Sequence, residues 1–155
     1  MSDAQKKVLQ DACLENIGTP PQPIFHGRGL RFKKDQSLFH TVNNDDLLST
    51  STCEGKVLRD FVIGSHAGKE EEEFLSKPRA LFVFSANSIP FLDVGKLSSA
   101  YAGEKEVLLP GGKMLTYALQ NKEEKEYDYT INDYGKEKRV VRVKYEVHHY
   151  QVSKA

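Results

Sequence analysis

The last third of the chain alternates apolar and polar residues. Val141, Val143, Tyr145 and Val147 interleave with Arg142, Lys144, Glu146 and His148, the period of two expected of a strand with one buried face. Asn132-Asp133-Tyr134-Gly135 offers a turn into it from a strand near residues 125–131. The run Arg79 to Ser85 (Arg-Ala-Leu-Phe-Val-Phe-Ser) is almost continuously apolar and predicts a strand near the centre of a sheet. Shorter extended segments are expected at Pro23–His26, ended by Gly27-Arg28-Gly29, at Leu47–Ser51, at Val107–Leu109, closed by Pro110-Gly111-Gly112, and over 113–120.

Helical spacing occurs at the start of the chain. Over residues 3–16, Val8, Leu9, Ala12, Cys13 and Leu14 fall roughly on one side, with Asp3 as the cap. Thr19-Pro20-Pro21-Gln22-Pro23 stops this helix, because proline lacks the amide donor. A second helix is expected over 53–63, capped by Thr52 and burying Val57, Leu58, Phe61 and Val62. The charged tract Gly68 to Glu73 reads as a solvated loop. The sum is an α+β fold with few short helices and six to eight strands, in a single domain over residues 1–155.

Composition narrows the function classes. The chain has 155 residues, with 22 basic and 22 acidic side chains and a net charge of zero. A protein that neutralises many phosphates usually carries a basic excess, so nucleic acid is disfavoured as the main partner. Cys13 and Cys53 form no CxxC pair and read as reduced thiols. No metal is expected: His148 and His149 are adjacent and would point to opposite faces of a strand. No apolar run approaches the ~18 residues of a membrane span, and the N-terminus has no signal-peptide pattern.

Three short motifs carry chemistry in combination. Gly27-Arg28-Gly29-Leu30 ends a strand; glycines admit a phosphate to the backbone, and the arginine fork can grip it. Leu48-Ser49-Thr50-Ser51-Thr52 presents hydroxyls that can orient a carboxylate or a ribose. Glu104-Lys105-Glu106, if extended, places two carboxylates on one side and the lysine on the other. Paired carboxylates suit glycosidic chemistry, where one stabilises a cation-like sugar and the other handles a proton. Taken singly, each motif is commonplace on a protein surface.

In this order the motifs resemble the arginine–serine–glutamate class of mono-ADP-ribosyltransferases, bacterial toxin type. The stretch from Leu97 to Pro110 (Leu-Ser-Ser-Ala-Tyr-Ala-Gly-Glu-Lys-Glu-Val-Leu-Leu-Pro) matches the family's Glu-x-Glu-Val-Leu-Leu segment almost throughout. His26-Gly27 stands where the family more often has tyrosine before its arginine. The resemblance implies an ADP-ribosyltransferase-like split β-sheet core and NAD as substrate. It makes Arg28, Gly29, Ser49, Thr50, Ser51 and Phe61 the NAD-binding residues. Arg28 would hold a phosphate, Ser49 would bond Glu106 or the nicotinamide-side ribose, and Phe61 would stack on nicotinamide unless it packs in the core. Glu106 would bind the ribose and stabilise the oxocarbenium ion. Glu104 would deprotonate an arginine acceptor, and Tyr101 would meet the target.

The same resemblance implies a secreted effector acting in the cytosol of a target cell, either alone or as the C-terminal toxin domain of a larger secreted protein. Its partners would be NAD and a target protein in the recipient cell, with no membrane partner. The producing cell would then need an immunity protein. Water as acceptor would make it an NAD glycohydrolase, and RNA would make it an RNA-modifying transferase. The non-enzyme alternative is an inactive binding module of the same fold.

Overall fold

The computed structural model describes residues 2–28, 47–96, 105–132 and 138–155. It is a mixed α+β molecule built on a mostly β core with few short helices.

Helix α1 spans Asp3–Glu15. Its cap is Ser2 rather than Asp3: the Ser2 hydroxyl accepts the Gln5 N–H, and the Gln5 side chain accepts the Ser2 N–H. This reciprocal capping box satisfies two end donors at once, leaving Asp3 in the first turn, where its charge favours the helix dipole. Strand β1 (Ile17–Gly18) then pairs with β5 (Ile89–Pro90) in a small separate ladder.

Seven strands form the main sheet, in the order β6-β7-β3-β2-β4-β9-β8. They are β2 (Ile24–Arg28), β3 (Leu48–Ser51), β4 (Ala80–Ala86), β6 (Leu92–Asp93), β7 (Glu106–Leu109), β8 (Leu115–Ile131) and β9 (Arg139–Lys154). With β1 and β5, the described residues hold nine strand segments against the expected six to eight, because pairs of two residues leave no periodicity to read. β4 lies inside the sheet, as its apolar run requires. It pairs antiparallel to β2 and parallel to β9.

Both expected extended segments between 113 and 131 belong to one strand, β8, which forms a long hairpin with β9. The expected alternation holds over the outer part of β9, where Val143, Tyr145 and Val147 are buried while Arg142 and Lys144 are exposed. From Glu146 onward β4 joins as a neighbour. Both faces of β9 are then covered, so His148, Tyr150 and Val152 are buried too.

The joint between β2 and β3 is thin. Among the described residues only Phe25 and Ser51 are in register, whereas β2 pairs with β4 over five residues and β3 with β7 over four. The sheet therefore consists of a three-strand part (β6-β7-β3) and a four-strand part (β2-β4-β9-β8) that meet at one pair.

Two more helices cover one face of the four-strand part. Helix α2 begins as an α-helix at Glu54–Val57 and continues as a π-helix over Leu58–Ile63, ended by the Gly64 N–H bonding the Arg59 carbonyl at 3.0 Å. Thr52 does not cap it; Cys53 holds the cap position with no side-chain bond to the helix. Helix α3 spans Glu71–Ser76, where the charged tract had read as loop. Glutamates are good helix formers and are favoured in a first turn, and the fully buried Phe74 anchors this helix to the core. Ile63, Phe74, Leu81, Val143 and Val147 pack together beneath α2 and α3. The opposite face buries Ile24, Phe82, Phe84, Val107, Leu109 and Tyr150. No helix among the described residues is long and apolar enough to cross a membrane.

Candidate functional site

Beside the thin joint, the strands and α2 leave a cavity of about 210 Å³. It is lined by Phe25, His26, Gly27, Ser49, Thr50, Ser51, Lys56, Val57, Phe61 and Glu106. Five of the residues marked by the sequence motifs (Ser49, Thr50, Ser51, Phe61 and Glu106) thus line one cavity. Register explains why. Ser51 pairs with Glu106 and with Phe25, which aligns β7, β3 and β2 in one row.

Within that row the hydroxyls have different tasks. Ser49 Oγ donates to the Glu106 carboxylate, joining residues 57 positions apart. Thr50, buried at 3 % exposure, turns the other way and donates to the Val107 carbonyl at 2.6 Å. Its hydroxyl ties β3 to β7, while the residue also lines the cavity. Ser51 Oγ accepts the Cys53 N–H at 3.1 Å and fixes the approach to α2.

Glu106 opens β7 instead of lying mid-strand. The residue before it, Lys105, has a φ of 51°, in the left-handed region that side chains other than glycine seldom adopt. The extended geometry expected across Glu104-Lys105-Glu106 therefore stops at Lys105, and alternation does not carry through it. The Lys105 carbonyl accepts the Thr52 N–H at 3.1 Å, closing the β3–β7 ladder just beyond the carboxylate.

Phe61 was expected either in the core or at the ligand. Its ring is 61 % exposed while Val57 and Val62 are buried. The reason lies in Gly27, which is inside β2 rather than at its end. Because Gly27 has no Cβ, α2 can lie directly on the strand, with Val57, Val62 and the Phe61 Cβ against it. The Phe61 ring is left at the cavity.

His26, Lys56 and Val57 also line the cavity, though no motif singled them out for it. His26 Nδ1 lies 2.9 Å from the Ser49 carbonyl. A carbonyl only accepts, so Nδ1 carries the proton. This side chain bridges the two parts of the sheet where the backbone ladder has ended. The signal for His26 was its place in the strand of the first motif; for Lys56 there was none, since the helix that carries it reads as a generic amphipathic turn.

Arg28 is the last residue of β2 and pairs with Ala80; its side chain, and all of Gly29, Tyr101 and Glu104, lie outside the described residues. His148 and His149 have separate partners, Glu146 at 2.9 Å and Glu123 at 3.4 Å. Cys13 is buried against the three-strand part, and burial raises its thiol pKa to about 11, a poor nucleophile. The described walls enclose less than the ~300–1,000 Å³ of a complete small-molecule site. The groups they offer are an aromatic ring, a hydroxyl-bound carboxylate and a lysine. No family model, curated protein or solved structure matches the chain.

Proposed function

We propose that the chain is an NAD-dependent mono-ADP-ribosyltransferase of toxin or effector type, acting on arginine of a target protein. The observation that carries this reading is the hydrogen bond from Ser49 to Glu106 at the wall of a cavity that also holds Phe61. The two residues come from separate motifs, and their meeting is what the resemblance implies. The meeting of two sheet parts at a single pair, with the cavity beside it, supports the split-sheet reading of the fold.

In this reaction the bond between nicotinamide and the ribose anomeric carbon breaks, and its electron pair leaves with nicotinamide. Glu106 binds the ribose hydroxyl and faces the oxocarbenium ion that forms. Ser49 keeps the carboxylate aimed by donating to it. Phe61 offers its ring to the nicotinamide plane. The acceptor guanidinium then attacks the anomeric carbon, and Glu104 takes the released proton. Delivery into a target cell, and an immunity protein in the producing cell, belong to the same reading.

Purified protein incubated with labelled NAD and cell lysate is expected to release nicotinamide and to label a protein. Glu106→Gln keeps the shape and loses the charge, so the rate should fall by about 10²–10³. Wild-type protein that releases no nicotinamide would sink the reading, as would an unchanged rate in Glu106→Gln. Nicotinamide release with no labelled macromolecule would instead mark water as the acceptor.

A further inference from the structure

One of the residues lining the cavity is a lysine, Lys56. Lys56 sits on the α-helical turn of α2, exposed, and lines the same cavity as Glu106. Of the acidic residues on the same helix, Asp60 lies within electrostatic reach of it. Asp60 is already bonded by Arg59, at 3.0 Å. Lys56 itself makes no ion pair among the described residues. A surface lysine in such a place usually serves solubility alone. Here it faces a cavity, and the cavity's other charged wall residue, Glu106, is engaged by Ser49.

We propose that Lys56 is the specificity-determining contact by which this cavity selects a phosphate-bearing pyridine nucleotide. The inference rests on the NAD reading of the site and adds a residue to it. NAD presents a cationic pyridinium beside a dianionic pyrophosphate. The two charged wall residues supply both signs that such a ligand needs: Glu106 would serve the end where positive charge develops, and Lys56 the phosphate. An ammonium on a flexible stem acts on phosphate as a point charge. Its contribution should therefore depend strongly on salt and little on fine geometry.

The test is steady-state nicotinamide release from NAD by wild type, Lys56→Gln and Lys56→Arg, at low and high ionic strength. Lys56→Gln should raise KM by about tenfold at low salt, within the range for a lost charged hydrogen bond. The fall in kcat should be smaller than the rise in KM. The variant should also lose part of the salt dependence of KM, while Lys56→Arg retains both. The inhibition constant of free nicotinamide, which has no phosphate, should not move in either variant. Unchanged KM and salt dependence in an active Lys56→Gln would overturn the assignment and leave the NAD reading standing. Equal weakening of NAD and nicotinamide would overturn it too, by showing a general distortion of α2. Wild-type protein that neither binds nor cleaves NAD would overturn both.

Discussion

Gly27 is where the cavity depends most on a single atom that is not there. A Cβ added at this position would stand 2.8 Å from the Phe61 Cβ and 2.9 Å from Val62 Cγ2. One of these contacts is to the first carbon of a side chain, which cannot swing away without its helix. Gly27→Ala should therefore push α2 off β2, costing about 1–3 kcal/mol, as overpacking does. It should also displace Phe61 and Lys56 and lower nicotinamide release. Urea unfolding beside the activity assay checks this; an unchanged midpoint would show that α2 is not seated on Gly27. The sequence places a glycine beside the motif arginine but gives its purpose as phosphate access. That its vacancy is filled by a helix some thirty residues on is a tertiary fact, and no local pattern encodes it. The same limit applies to Thr50, whose hydroxyl bond to the Val107 carbonyl across the β3–β7 ladder no local pattern foretells.

At the scale of elements, the strands with strong patterns were readable and their neighbours were not. The outer part of β9 alternates as a one-faced strand should, but Glu146 and His148 lie beyond the point where β4 joins. Alternation alone puts His148 on the polar face; it is 1 % exposed, edge-on to the Phe82 ring. A buried neutral histidine couples the strand to pH. Burial is the main cause holding His148 below its usual value of 6.5. Lys122 and His149 push the same way, while Glu146 opposes through its hydrogen bond and charge. The unfolded chain thus takes up a proton as pH falls below about 6.5, while the folded chain still resists it. Stability is fully present above that value and is lost on acidification, until the lowered folded pKa is reached. Urea midpoints between pH 7.5 and 5.5 should fall in wild type and fall less in His148→Phe. Parallel slopes in the two proteins would remove His148 as the source.

Across the whole molecule, the decisive feature is the joint of the two sheet parts. Neither the single Phe25–Ser51 pair nor the His26 bridge to the Ser49 carbonyl follows from strand patterns, because register between strands distant in sequence depends on what packs on each face. Yet that joint sets the site: Ser49 and Glu106 belong to the three-strand part, while Phe25, Gly27 and the helix bearing Lys56 and Phe61 belong to the four-strand side. A ligand held by Glu106 and Lys56 together would strap one part to the other. Binding to the folded state alone adds RT ln(1 + [L]/Kd), about 2.7 kcal/mol at a hundredfold excess over Kd. Glu106→Gln is the useful vehicle, since it should hold NAD while turning it over slowly. Hydrogen exchange on this variant should then slow at Leu48–Ser51, at Glu106–Leu109 and in α2 together when NAD is added. Protection confined to one side would mean that the nucleotide sits on a single part, and that the cavity at the joint is not where the dinucleotide binds.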